Sequence, residues 1–170
     1  MKPTNNNKFY VFDQFDEDMA LDFVSWVHSK EDLAARTLEV YINSPGGILD
    51  SCFSMLNVMS ASQHKFKITA MGSISSCGLV FFMAGDHRVI YDNCLSMSHQ
   101  FSWGSSGKHH ELEASSTAFK LTGKYMEDHY VKHSKLTRDE VKKTLLKESD
   151  VYLTAREMKK YGLADEVIKT

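Results

Sequence analysis

The sequence predicts an α/β fold built of repeated β-α-β units on a mainly parallel sheet. Short apolar runs with strand character alternate with stretches whose apolar residues recur at helical spacing. Turn-forming glycine, proline and asparagine residues close several of the runs. No internal repeat or low-complexity linker divides the 170 residues, a length within the ~100–200 residues of one domain. Strand–helix–strand successions imply right-handed crossovers, so residues 1–170 are read as one domain.

Phe9-Tyr10-Val11-Phe12 predicts a short aromatic first strand, preceded by a short polar segment, residues 1–8, expected to be flexible. Behind the acidic stretch 13–18, Met19, Leu21, Phe23, Val24 and Val27 supply the apolar stripe of a helix. Leu38-Glu39-Val40-Tyr41-Ile42 alternates as a strand, and Asn43-Ser44-Pro45-Gly46-Gly47 ends it. Over 48–62, Leu49, Cys52, Phe53, Leu56 and Met59 mark a second helix, and 66–71 a further strand. A polar run, Gly72-Ser73-Ile74-Ser75-Ser76-Cys77-Gly78, then gives way to the apolar helix Leu79-Val80-Phe81-Phe82-Met83-Ala84. Residues 87–91 and 94–97 read as short strands joined at Asp92-Asn93. Gly104-Ser105-Ser106-Gly107 is a flexible break before a long helical pattern over about 111–133. Thr137-Arg138-Asp139-Glu140 and Thr154-Ala155-Arg156-Glu157 are capping boxes. Gly162 stops the second of those helices.

With 42% hydrophobic and 25% charged residues the composition is that of an ordinary globular protein. A net charge of −2 argues against a phosphate-binding surface, so no nucleic-acid partner is expected. No apolar run approaches the ~18 residues of a membrane span, and residues 1–7 have no signal-peptide or transit character. Cys52, Cys77 and Cys94 are odd in number, widely spaced and set among apolar residues. Reduced thiols in a cytoplasmic compartment fit that pattern better than a disulfide framework.

Three remote residues could act together. Ser76 would sit where a turn meets a helix N-terminus, whose unpaired amides and dipole favour developing negative charge. His99 closes a short strand, and Asp150 precedes a strand-like step and a capped helix. Each alone has a plainer reading: a Ser/Gly turn, a structural histidine, a turn aspartate. Combined, they would supply a nucleophile, a base and a carboxylate that orients the base. The paired glycines before Ile48 allow close backbone approach, so the Gly47 and Cys77 N–H groups could hold an oxyanion. Ser73 and Ser75 are competing hydroxyls; spacing from Gly47 and the following Gly78 selects Ser76. The order Ser…His…Asp, with Ile74 two before Ser76, disfavours an α/β-hydrolase elbow. Cys77 is expected to be an ordinary buried thiol and not a nucleophile. His129 and His133 have a zinc-binding spacing but lack the metalloprotease glutamate, and a solvated polar face is expected there. Neither a metal nor a cofactor is expected.

With these residues in order, the chain resembles the proteolytic subunit of the Clp protease, the ClpP-like serine peptidase family. The resemblance runs over residues 9–168. It rests on Tyr41-Ile42-Asn43-Ser44-Pro45-Gly46-Gly47, on the Met71-Gly72…Ser76…Gly78 block, on His99-Gln100, on Asp150 and on Tyr161-Gly162-Leu163-Ala164-Asp165. It implies a crotonase/ClpP-like fold with a protruding helical handle over about 104–135. It also implies Ser76 as nucleophile, His99 as base, Asp150 as carboxylate and Gly47 and Cys77 in the oxyanion hole. It further implies heptameric rings, single or stacked, that enclose the sites and admit peptides or unfolded chains fed by an AAA+ unfoldase. The stripe Leu112, Phe119, Tyr125, Met126 and Tyr130 would dock on a partner subunit.

Departures from the family pattern are Ser149 where arginine is common, Phe101 where proline is usual, Ile74-Ser75 for an alanine-rich run and Cys77 for methionine. They suggest altered ring–ring pairing. The short segment before the first strand suggests altered gating and a phage-encoded or accessory copy in a bacterial cytoplasm. Competing readings are a non-catalytic ring subunit beside an active relative, acyl-CoA chemistry on the crotonase fold, and a capsid-maturation protease.

Overall fold

The computed structural model describes residues 7–170; most of the short N-terminal segment, residues 1–6, lies outside the described residues. The chain runs β1 (Lys8–Val11), α1 (Glu17–His28), β2 (Thr37–Ser44), α2 (Leu49–Ala61), β3 (Lys65–Ser75), α3 (Cys77–Met83), β4 (His87–Tyr91) and β5 (Leu95–Ser98). It continues with α4 (His109–Lys132), α5 (Arg138–Thr144), β6 (Val151–Leu153), α6 (Ala155–Lys160) and β7 (Glu166–Ile168). The α/β class and mainly parallel sheet expected from the sequence are present: β1-β2-β3-β4-β7 form a parallel path. Among the described residues only β6 runs antiparallel, against β5. The first strand starts at Lys8, inside the segment expected to precede it.

Local chemistry accounts for the element ends. Asp16 caps α1 by accepting from the Met19 N–H at 2.8 Å. Thr137 and Thr154 each form the reciprocal box with Glu140 and Glu157. α1 buries Ala20, Phe23, Trp26 and Val27, whereas Leu21, expected in the stripe, is 65% exposed. Leu21 lies about 100° around the helix from Ala20, and an isolated exposed leucine is ordinary. α2 buries Cys52, Met55 and Met59, spaced three and four apart. The β-strands carry Val40, Ile42, Ile68 and Ile90 into a core completed by the wholly buried Leu79, Phe81 and Phe82 of α3.

β3 departs most from expectation. It does not end at Met71 in a tight turn but continues to Ser75. Its first half pairs with β4 (Lys67↔His87 to Ala70↔Ile90) and its second with β5 (Ser73↔Leu95 to Ser75↔Met97). The change of neighbour occurs at Gly72, where φ is +69°. A Cβ there would lie 2.8 Å from Asn43 Oδ1, which instead accepts from the Ser73 N–H at 3.0 Å. The β2–β3 register also slips between Ile42 and Ser44, so β3 carries a bulge. The two strands around Asp92-Asn93 therefore do not pair with each other; each takes a different half of β3. Arg88 on β4 grips both carboxylate oxygens of Asp165, before β7, and donates to the His133 carbonyl below α4.

α4 projects as the long helix expected, and its first turns are exposed. Its apolar stripe divides. Met126 and Tyr130 pack into this chain's own core, while Leu112, Phe119 and Tyr125 remain exposed. The His129 and His133 face is not the solvated surface expected: both rings are half-buried. They lie 4.5 Å apart, and His129 Nε2 is 2.8 Å from the Val80 carbonyl of α3. Among the described residues no cluster of three metal-ligating side chains occurs, and no helix is long and apolar enough to cross a membrane.

Candidate active site

The site forms where β3 leaves the sheet. The Ser76 N–H donates to the Met97 carbonyl on β5 at 2.9 Å, the last tie of the strand pairing. The backbone then turns at once: Ser76 has φ +53° and ψ −122° and caps α3. Positive φ is uncommon for a residue with a Cβ and stores strain of order 1–3 kcal/mol that the surrounding packing must hold. Among the described non-glycine residues Ser76 alone has it. The Ser76 carbonyl accepts from Leu79 and Val80, while the Cys77 and Gly78 N–H groups lie in the first turn, where no helical carbonyl can receive them.

The Ser44–Gly47 loop packs on this turn. The Ser44 hydroxyl donates to the Asp13 carbonyl at 2.6 Å and accepts from the Gly46 N–H at 3.2 Å. Phe15 donates to the Gly46 carbonyl at 2.9 Å, and Ile48 donates to the Phe15 carbonyl at 2.6 Å. That parallel bridge uses the groups on either side of Gly47 and leaves the Gly47 N–H out of the ladder. Gly46 has φ +106°, and a Cβ on it would stand 2.7 Å from the Ser76 Cβ. Gly46 was not singled out in the sequence beside Gly47. The pairing of two glycines after a proline was its signal, since a strand end needs only one to turn.

His99 follows β5. Its Nε2 lies 2.7 Å from Ser76 Oγ, a hydrogen bond. Both neighbours are pinned to the segment after α5. The Ser98 hydroxyl donates to the Leu145 carbonyl at 2.7 Å and lies 2.9 Å from the buried Tyr130 hydroxyl, while the Gln100 side chain donates to the Leu146 carbonyl at 3.0 Å. Burial pushes the Tyr130 phenol above its ordinary value, which keeps it a donor. Asp150 precedes β6, whose antiparallel register pairs Ser96↔Leu153, Met97↔Tyr152 and Ser98↔Val151. The next step of that register sets His99 opposite Asp150. The distance from His99 Nδ1 to Asp150 Oδ1 is 3.9 Å, an ion-pair distance longer than a hydrogen bond, and Asp150 is 55% exposed.

Ser76, His99, Gly47 and Cys77 thus line one cleft of about 300 Å³, closed by Ile48, Val80 and Met126. Beneath it the Cys77 thiol donates to the Gly47 carbonyl at 3.3 Å, and the wholly buried Cys52 thiol lies 3.6 Å from the Cys77 carbonyl. The neighbouring Cys52 side chain holds the Cys77 thiol below its ordinary value although burial opposes it; burial lifts that of Cys52. The arrangement offers an alcohol hydrogen-bonded to an imidazole, a carboxylate beyond it, and two backbone amides beside the alcohol. Those are the parts acyl transfer uses.

A family model described as Clp protease matches residues 4–170. The fold is similar to that of a solved ClpP1 mutant from Listeria monocytogenes, with a TM-score of 0.85 and 17% identity over 96% of this chain and 92% of that one. At that identity the likeness establishes the fold.

Proposed function

The chain belongs to the Clp protease family, and from that premise we propose that it is a serine endopeptidase with Ser76 as nucleophile and His99 as base. The single observation carrying this reading is the 2.7 Å contact between Ser76 Oγ and His99 Nε2 at a strained turn. Ser76 Oγ attacks the peptide carbonyl as His99 Nε2 takes its proton. The Gly47 and Cys77 amides receive the oxyanion, each worth about 3–4 kcal/mol in the transition state. His99 then protonates the departing amine, and water cleaves the acyl-enzyme by the reverse path. Asp150 orients the imidazole by closing the last ångström to Nδ1, a contact that commonly tightens only with substrate bound.

The exposed Leu112, Phe119 and Tyr125 on α4 support self-association, in which the handle docks on a second copy and the sites face an enclosed chamber. Heptameric rings, single or stacked, are the assembly proposed from the family resemblance. Its substrates are peptides and unfolded chains, delivered by an AAA+ unfoldase in a bacterial or phage-infected cytoplasm. No observation favours a non-catalytic subunit, because Ser76 and His99 are hydrogen-bonded in the isolated chain.

The test is Ser76→Ala in the assembled protein. Hydrolysis of a fluorogenic peptide and covalent labelling by a fluorophosphonate should both vanish while assembled mass and melting temperature hold. Full turnover in that variant would refute the assignment.

A further inference from the structure

Two cysteine side chains whose thiols the chemistry above does not use come together beside the nucleophile. Cys52 comes from α2 and Cys77 from the first residue of α3. The Cys52 thiol donates to the Cys77 carbonyl oxygen at 3.6 Å and the Cys77 thiol donates to the Gly47 carbonyl at 3.3 Å, so Cys52 Sγ is in direct contact with Cys77. The pair is shielded from bulk, with Cys52 wholly buried and Cys77 4% exposed. Cys77 is also a lining residue of the cleft that holds Ser76 and His99, which is the route by which a water-sized oxidant would approach it. The two thiols differ in character. The neighbouring Cys52 side chain favours the Cys77 thiolate, whereas burial keeps Cys52 protonated. Cys94 stands apart on the turn after β4, its thiol pushed up to about 11 by burial, and lacks a sulfur partner among the described residues.

We propose that Cys52 and Cys77 form an oxidisable dithiol that a peroxide-class oxidant closes to a disulfide, disabling the adjacent Ser76 centre until a thiol reductant reopens it. The Cys77 thiolate attacks one peroxide oxygen, the O–O bond breaks, and the other oxygen leaves as water after taking up a proton. The resulting Cys77 sulfenic acid is attacked by Cys52 Sγ. The S–S bond forms as the S–O bond breaks, and the Cys52 proton leaves with the oxygen as a second water. Two thiols are oxidised by two electrons and one peroxide is reduced. A cytoplasmic disulfide of this sort is transient and regulatory.

The coupling to activity is geometric. Thiols that now donate to two different carbonyls, those of Cys77 and Gly47, must leave them and meet at the ~2.0 Å of an S–S bond. Cys77 cannot do so without drawing on its own backbone, which carries a proposed oxyanion amide and adjoins Ser76. A misplacement of about 1 Å at such a centre costs about 100-fold in rate. This consequence rests on the serine-peptidase reading; the disulfide itself does not.

The experiment treats the full-length assembled protein with hydrogen peroxide, then alkylates free thiols under denaturing conditions. Non-reducing peptide mapping and peptide hydrolysis are followed together. The expected result is a Cys52–Cys77 cross-linked peptide with loss of two hydrogens, a parallel fall in turnover of about 100-fold, and recovery of both with dithiothreitol. Cys52→Ser, which keeps the side chain's size, should form no cross-link and gain oxygen at Cys77 instead. Both thiols remaining free after oxidation, a cross-link to Cys94, or a cross-linked protein with undiminished turnover would overturn the proposal. If the reduced protein hydrolyses no peptide at all, the peptide map still decides the dithiol, and the serine-peptidase reading is the one that fails.

Discussion

Gly46→Ala tests how tightly the loop after β2 is fitted to the nucleophile. The added Cβ would sit 2.7 Å from the Ser76 Cβ, 2.9 Å from the Ser75 carbonyl oxygen and 3.2 Å from the Cys77 nitrogen. Carbon atoms pack at roughly 3.5–4.0 Å, so about 1 Å of separation is needed. None of the three obstacles is the end of a flexible side chain, and two are backbone atoms. The loop cannot absorb the whole shift, because Ser44 and Gly46 are bonded to Asp13 and Phe15. Ser76 must therefore move. A displacement of that size should lower kcat/KM for a fluorogenic peptide about 100-fold, or about 2.7 kcal/mol in the barrier. Alanine at φ +106° adds backbone strain of about 1–3 kcal/mol, so the melting temperature should also fall. Fluorophosphonate labelling reports the rate at Ser76 in the folded fraction and separates the two effects. Gly104→Ala is the control, since no heavy atom lies within 4 Å of its added Cβ. A Gly46→Ala protein that labels, turns over and melts like the parent would show that the loop does not hold Ser76 in place.

The clamp beside His99 should be asymmetric. Tyr130→Phe removes one donor and leaves Ser98 bonded to Leu145, costing about 1 kcal/mol by chemical denaturation, whereas Ser98→Ala strands a buried phenol and a carbonyl and costs about 2–3 kcal/mol; the reverse ranking would refute the clamp. Asp165→Asn should cost about 1–2 kcal/mol at neutral pH, discounted for its partial exposure. Arg88 holds the Asp165 carboxyl below its ordinary 3.8, so the contribution is complete above that value and is lost as pH falls through the lower folded value. The gap between parent and variant should accordingly close in acid, and a gap independent of pH would contradict it. His133 is pushed down to about 4 by burial, with His129, Lys132 and Arg88 adding repulsion. It stays neutral in the fold while the unfolded chain takes a proton near 6.5, so stability is full above 6.5 and is lost as pH falls toward about 4. His133→Gln should flatten that limb of the stability profile, and an unchanged slope would assign it to other groups.

The elements legible in the sequence were those whose signals are local. Thr137 and Thr154 announce their helices by a side chain reaching three residues ahead, and Gly162 stops α6 where expected. The extension of β3 to Ser75 was hidden because Ser73 and Ser75 break the apolar run; its strand character comes from the ladder with β5. β7 is three residues long and exists through its pairing with β4. The burial of Met126 and Tyr130 depends on where α4 crosses α3 and the segment after α5, which helical periodicity does not encode. At the site, Ser76 was legible as a small residue between a glycine-bracketed run and an apolar helix. The pairing of His99 with Asp150 was legible only by combining them with Ser76 and through the family resemblance, because a three-pair antiparallel ladder leaves no mark in either stretch alone.

That ladder also divides the proposed catalytic parts by how they are held. Ser76, Cys77 and the Gly46–Gly47 turn belong to β3, α3 and the loop after β2, all fixed by parallel pairing in the middle of the sheet and by contacts under 3 Å with Phe15 and Met97. Asp150 hangs from β6, the last strand of a side branch with one neighbour. His99 stands between them, bonded to Ser76 on one side and held through Ser98 and Gln100 to Leu145 and Leu146 on the other. A perturbation of β6 or α5 should therefore reach the orientation of the imidazole while leaving the serine turn intact. Its signature would be slower turnover at unchanged melting of the core, the opposite of Gly46→Ala, which strikes both.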